Sequence, residues 1–158
     1  MENLIIEKVK DCDINQINDI SKEHWPEDGD YGYKTLKWVI DQGLSFCIKK
    51  ENNVIAFCLI TEQNRKLSIY LIAVKKGNEG RGLGKSIMNH ALTNARNKGY
   101  SYFKLNVSVT NAIAIKMYKK FKFKIKKYIP QYYNTSNKEE NNAYKMILND
   151  YGSRFNTI

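Results

Sequence analysis

The stretch LSIYLIAVKKGNEGRGLGKS, residues 67–86, decides the reading of this chain. An apolar, strand-like run ends at Val74. A polar turn follows, then Gly80, Gly82 and Gly84 at alternate positions. From Leu83 the pattern turns helical: Leu83, Ile87, Met88, Ala91, Leu92 and Ala95 share one face, and Gly99 ends the run. A strand feeding a glycine-rich turn that opens a helix lets main-chain N–H groups converge on a phosphate. Glycine lets the backbone come close, and the helix start adds partial positive charge. Two familiar loops do not fit. A GxxxxGK[ST] loop needs glycine at position 79, where Glu79 stands, and the even spacing of Gly80, Gly82 and Gly84 is not GxGxxG.

Working outward, Leu4 to Val9 reads as a strand. Asp13 to Glu23 reads as a short helix carrying Ile14, Ile17 and Ile20, with Asp13 as its N-cap. Residues 24–32 form a turn-rich acidic loop. Tyr33 to Gln42 is a second helix stopped by Gly43. Strands are expected at Leu44 to Ile48 and Val54 to Thr61, joined through Glu51-Asn52-Asn53, with a polar link from Glu62 to Lys66. Beyond the glycine loop, Tyr102 to Val109 reads as a strand and Asn111 to Phe121 as a helix capped by Asn111. Strands follow at Phe123 to Ile129 and Ala143 to Leu148, separated by a polar loop. The expectation is an α/β (α+β) fold: a mixed, mostly antiparallel sheet of about seven strands with about four helices. The two strands bracketing the long helix should be parallel, joined by a right-handed crossover. One domain is expected over residues 1–150, with a tail from 151 to 158.

The chain has 158 residues, enough for one sizeable core. Cys12, Cys47 and Cys58 are odd in number with no CxxC pair, which points to reduced thiols in a reducing, cytoplasmic setting. No apolar run is long enough for a membrane span, the N-terminus lacks a signal-peptide layout, and no spacing suggests a metal site. The formal net charge is +10, with 26 basic and 16 acidic residues. Its densest cluster is Lys119, Lys120, Lys122, Lys124, Lys126 and Lys127. Lys122, Lys124 and Lys126 alternate with Phe123 and Ile125, which reads as a half-buried strand with a solvated lysine face rather than a nucleic-acid site. The positive field would still draw an anionic cofactor.

Two motifs make this chain resemble the GNAT N-acetyltransferase superfamily over nearly its whole length. Ile72 to Gly84, IAV followed by EGRGLG, is similar to that superfamily's [Q/R]xxGxG loop. Leu105 to Phe123, LNVSVTNAIAIKMYKKFKF, is similar to its LxVxxxNxxAxxxYxKxGF pattern, with Asn111, Ala114 and Tyr118 in register. The resemblance implies the GNAT fold and acetyl-CoA as cofactor. It assigns the backbone of Ile72, Ala73 and Val74 to the pantetheine arm, and the amides of Glu79, Gly80, Arg81, Gly82, Leu83, Gly84 and Lys85 to the pyrophosphate. Asn111 would bond the cofactor arm, and Tyr118 would protonate the departing thiolate as general acid. Without the resemblance, Tyr118 reads as a core aromatic. Glu79 departs from the family's Gln or Arg; its carboxylate must turn outward or pair with Arg81. Lys122 replaces the glycine of the usual Gly-Phe pair.

Within that superfamily the tail, Gln131-Tyr132-Tyr133 and then Ala143-Tyr144-Lys145-Met146, most resembles RimI-type protein N-terminal acetyltransferases, in which such a tyrosine pair lines the peptide slot. The competing reading is that Tyr132 and Tyr133 only cover the sheet end. Asn106 stands where those enzymes carry Glu or His, and an amide cannot serve as a base. Glu62 is the leading substitute, followed by His24, Glu27 and Asp28. Trp25, Glu27 and Tyr31, with their acidic and aromatic neighbours, would suit a cationic acceptor, so a polyamine or aminoglycoside stays open beside a peptide N-terminus. A non-catalytic acyl-CoA sensor is a further alternative. Monomer and homodimer are both compatible with the sequence.

Overall fold

The computed structural model describes residues 2–151, so all but the first residue of the expected tail lies outside it. The chain groups into two compact units, Met1–Glu62 with Ile69–Lys98, and Gln63–Ser68 with Gly99–Ile158.

The first unit holds β1 (Leu4–Lys8), a 3-10 turn (Asp11–Asp13), α1 (Ile14–His24), α2 (Gly32–Ile40), β2 (Phe46–Lys50), β3 (Asn53–Gln63, but for its last residue), most of β4 (Lys66–Val74) and α3 (Leu83–Asn97). β1 pairs antiparallel with β2, and β2 with β3. Glu51 and Asn52 between β2 and β3 both take positive φ, at 49° and 66°. These values suit a tight hairpin turn matched to the sheet's twist. β3 is buried continuously from Val54 to Ile60, as expected of a strand covered on both faces. Ile14, Ile17 and Ile20 of α1 and Leu36, Val39 and Ile40 of α2 form a core with Phe57 and Leu59.

The second unit holds β5 (Tyr102–Ser108), α4 (Ala112–Lys120), β6 (Lys124–Ile129) and β7 (Ala143–Asn149). Leu67 and Ser68, at the start of β4, pair in parallel with Phe103 and Lys104. β7 lies between β5 and β6, antiparallel to both. The strand order is β1-β2-β3-β4-β5-β7-β6. The more apolar β7 takes the inner position, burying Ala143, Met146 and Leu148. Lysine-rich β6 is left at the edge, where charge discourages pairing with other chains.

Several local expectations need correction. Asp13 precedes α1, but its carboxylate does not cap that helix; it accepts the Lys10 amide at 2.9 Å and closes the 3-10 turn. The polar link from Glu62 to Lys66 is itself a hairpin turn, with Asn64 and Arg65 at φ 53° and 65°. β2 begins at Phe46 rather than Leu44, because the Ser45 carbonyl takes the Val9 amide and its hydroxyl takes the Ile60 amide. β6 is not half-buried. Every residue from Lys124 to Tyr128 is exposed, and a register shift between Ile125 and Lys127 breaks the alternation. Among the described residues no helix is long and apolar enough to cross a membrane.

Candidate active site

In the first unit, β4 ends at Val74 and the Lys75 amide bonds the Ile55 carbonyl at 2.8 Å, which fixes where the glycine loop leaves the sheet. His24, at the end of α1, sets Nε2 2.5 Å from the Val74 carbonyl oxygen. The imidazole raised as a base candidate is thus a tie between α1 and the last residue of β4. Fifty residues separate the partners, so no local pattern could reveal it. Glu23 adds a longer bond, accepting the Lys76 amide at 3.4 Å.

The loop then turns on itself. Glu79 Oε2 accepts the Gly77 amide at 2.7 Å. Main-chain N–H bonds from Glu79 itself and from Gly77 hold the Glu79 carboxyl below the usual carboxylate range. Arg81 pairs with Glu2 and reaches Asn78, and not Glu79. Of the two expected outcomes, turning outward or pairing with Arg81, the pair does not form; the carboxylate folds back onto its own loop. Gly82 is the residue before α3, in the left-handed region at φ 75°, where a side chain is strained.

α3 has no side-chain cap and no acid in its first turn. Both features forgo stabilisation that helix N-termini usually take. The amides of Gly80, Arg81, Gly82, Leu83, Gly84 and Lys85 have no acceptor within the described residues, whereas the next amide, Ser86, bonds the Gly82 carbonyl at 3.0 Å. Six successive donors at the positive end of a 15-residue helix, beside Lys85, are built to receive an anion from outside the chain. A diphosphate fits this donor set in charge and in its demand for many hydrogen bonds.

Trp25 and Tyr31 pack partly buried against the core of the first unit, and Tyr31 meets Tyr70 edge-on at 5.9 Å between ring centroids. Glu27 is exposed. Glu62 is also exposed, and its amide donates to Gln42 at 2.8 Å.

In the second unit, Asn111 Oδ1 accepts the Ala114 amide at 3.2 Å, capping α4 as expected and leaving the side-chain N–H₂ for another acceptor. Tyr118 is the buried residue of α4. Its ring lies 6.0 Å from that of Phe123. The turn between them is a Schellman motif: Phe123 N bonds the Tyr118 carbonyl at 3.1 Å, Lys122 N bonds the Lys119 carbonyl at 3.0 Å, and Lys122 stands at φ 74°. Lysine thus takes a conformation that suits glycine, and the turn survives the substitution. Asn106, on β5, donates to the Tyr132 hydroxyl at 3.1 Å, and the Tyr132 and Tyr133 rings meet edge-on at 4.8 Å. Tyr133 N bonds the Asn141 carbonyl at 2.9 Å. Three residues singled out for the acceptor are therefore one cluster. Cys47 and Cys58 are buried, and burial pushes both thiols up to about 12, so neither is a nucleophile at neutral pH. No metal-binding group of His, Cys, Asp and Glu occurs among the described residues.

A mixed sheet carrying an anion-gripping loop between β4 and α3, with a capped tyrosine helix after β5, defines a class of acyl-CoA-dependent transferase folds. The family model for the acetyltransferase (GNAT) family matches residues 14–123, and the chain belongs to that family. Solved structures agree on the fold. The ribosomal-protein-S18-alanine N-acetyltransferase from Escherichia coli superposes with a TM-score of 0.81 at 22% identity, covering 93% of this chain and 94% of that one. Arabidopsis thaliana Naa50, in complex with the bisubstrate analogue CoA-Ac-MVNAL, gives 0.77 at 23% identity, covering 91% and 97%. In sequence, the streptothricin acetyltransferase of Streptomyces lavendulae is 38% identical over 60 residues, which is 38% of this chain and 32% of that protein. The matched stretch is thus about a third of that relative's length.

Proposed function

We propose that this protein moves the acetyl group of acetyl-CoA onto a primary amine, and that the amine is the α-amine of a peptide N-terminus. The observation that carries the reading is the row of six N–H groups from Gly80 to Lys85 with no acceptor of their own. They would hold the pyrophosphate, with the backbone of Ile72, Ala73 and Val74 bonding the pantetheine arm and the Asn111 amide group contributing. The Val74 carbonyl keeps a second lone pair beside its His24 bond, so it can still accept.

When bound, acetyl-CoA supplies a thioester carbonyl for attack and a thiolate leaving group. Tyr118 is assigned the proton for that thiolate, which its phenolic O–H can donate. The chain's Asn106 cannot take a proton from the amine. An α-amine, with a pKa near 8, is about one-tenth neutral at pH 7, whereas a lysine or polyamine amine, near 10.4, is about one in 2,500 neutral. With Asn106 where a base would stand, the reading favours an α-amine. The Asn106–Tyr132–Tyr133 cluster offers hydroxyl, amide and aromatic edges of the kind that orient a peptide end.

The short match to a streptothricin acetyltransferase favours a second reading, a small polycationic amine as acceptor. A panel of N-terminal peptides, lysine peptides, spermidine and an aminoglycoside decides between them. Turnover of peptides with a rate that climbs towards pH 8 supports the first, and turnover of polyamine alone refutes it. Tyr118→Phe should lower kcat about a hundredfold or more while acetyl-CoA affinity holds, the range for a lost general acid. An unchanged kcat would remove Tyr118 from the chemistry.

A further inference from the structure

The net charge of +10 is not spread over the chain. The first unit carries thirteen basic and thirteen acidic residues, whereas the second carries thirteen basic and three acidic. The whole excess lies in the second unit, and most of it between Lys116 and Lys127, where seven lysines occur with no acid among them. Lys116, Lys119, Lys120 and Lys122 line a groove of about 620 Å³ with Val109, Ala112 and Ile115. Lys124, Lys126 and Lys127 continue the series along the exposed edge strand β6. Among the described residues none of these seven makes an ion pair, whereas lysines of the first unit, such as Lys22, Lys37, Lys49 and Lys50, do.

Such a strip works against folding. Lys116 and Lys120 are like charges one helical turn apart, which destabilises a helix. Lys119 and Lys120 alone have a local reason, since they sit in the last turn of α4, where cations suit the dipole. Edge protection would explain one or two lysines on β6, not three on both faces of an already short strand. Tyr128, which closes the series, is 51% exposed and meets the Tyr144 ring at a steep angle, 6.1 Å between centroids.

A lysine-lined groove, followed two residues after Lys122 by an exposed lysine-rich strand that carries an exposed tyrosine, supplies the elements that track a phosphate backbone and stack a base. We propose that the α4–β6 face docks single-stranded nucleic acid, with phosphates on the seven lysines and a base on Tyr128. The proposal is separate from the acetyl-transfer reading. An anionic bilayer fits less well, because the strip lacks a continuous apolar face to insert. An acidic protein could pair with the edge strand, but would leave the groove lysines unused.

The test is fluorescence anisotropy of the full chain with labelled 15-nucleotide oligo(U) and oligo(dT) between 50 and 200 mM KCl. Seven phosphate contacts predict a slope of log affinity against log salt of about −5, so about a thousandfold loss across that range. The triple variant Lys119→Glu, Lys124→Glu, Lys126→Glu should bind at least tenfold more weakly. Lys8→Glu, Lys34→Glu, Lys98→Glu, which changes the net charge equally, should bind much as the parent does. Thermal melting verifies that both variants fold. A slope shallower than −2, or equal losses in the two variants, overturns the proposal. So does equal binding of phosphatidylserine vesicles or polyglutamate. Full displacement by CoA would return these lysines to the cofactor and overturn it too; binding that persists with CoA present supports it.

Discussion

Replacing Lys49 with methionine tests the pairing that anchors the start of α1. Lys49 Nζ lies 2.6 Å from Glu7 and 2.8 Å from Asp13. The Lys49 side chain is 11% exposed, Glu7 30% and Asp13 only 2%. In Lys49→Met the aliphatic stem still packs, and Glu7 can turn to water. Asp13 cannot: it keeps the Lys10 amide but loses its ion pair while still buried. Leaving a buried charge unpaired costs about 3–5 kcal/mol, and the surviving amide bond argues for the low end, about 3 kcal/mol. In a chain of this size that is roughly 6–12 °C in Tm. Adding Asp13→Asn, which still accepts the Lys10 amide without carrying charge, should recover about 1–2 kcal/mol. Urea unfolding of the parent, the single and the double variant gives these numbers. A single-variant loss under about 1 kcal/mol, or no recovery in the double, refutes the reasoning. The pH dependence supplies an independent arm. Burial alone would pull the Lys49 ammonium down, but its hydrogen bonds to Asp13 and Glu7 outweigh this and raise it above 10.5. Its contribution is thus complete below pH 10.5 and lost as pH climbs through the raised value. The parent should show that alkaline loss, and Lys49→Met should not.

Two further perturbations bear on the loop and the turn after α4. Glu79→Gln removes a charge that the loop amides keep ionised at neutral pH. Two phosphate charges about 7 Å away each oppose it by about RT in water, so acetyl-CoA should bind about five- to tenfold more tightly. Unchanged or weaker binding by calorimetry would place the diphosphate elsewhere. Lys122→Gly relieves a lysine held at φ 74° and should stabilise the protein by about 0.5–1 kcal/mol, measured by thermal melting. A loss of stability would mean that the Lys122 side chain contributes more than its backbone costs.

Much of this was legible locally. The α3 boundaries follow from Gly82, the apolar face beginning at Leu83 and the stop at Gly99, because capping and helical period act within a few residues. Asn111 as a cap is equally local. Misreadings occurred where the outcome hung on partners far along the chain. Asp13 matched a cap signal, but Lys49 and the Lys10 amide claimed its carboxylate. The Glu79 carboxylate, expected to turn outward or pair with Arg81, accepts the Gly77 amide, and the His24 imidazole bonds the Val74 carbonyl. Alternation at Phe123 and Ile125 signalled a half-buried strand, yet β7 took the inner place in the sheet.

From its sequence alone this chain determined its helices, the glycine-rich turn before α3 and the family motif around Tyr118, since each is set by residues within a few positions of one another. Tertiary structure alone decided that β7 separates β5 from β6, that Asn106 meets Tyr132, that His24 secures Val74 and that, among the described residues, the seven lysines from Lys116 to Lys127 make no ion pair. Those outcomes depend on which strand wins a neighbour and which polar group finds a partner. That competition is settled by burial and pairing across long stretches of chain, and a local pattern cannot encode its result.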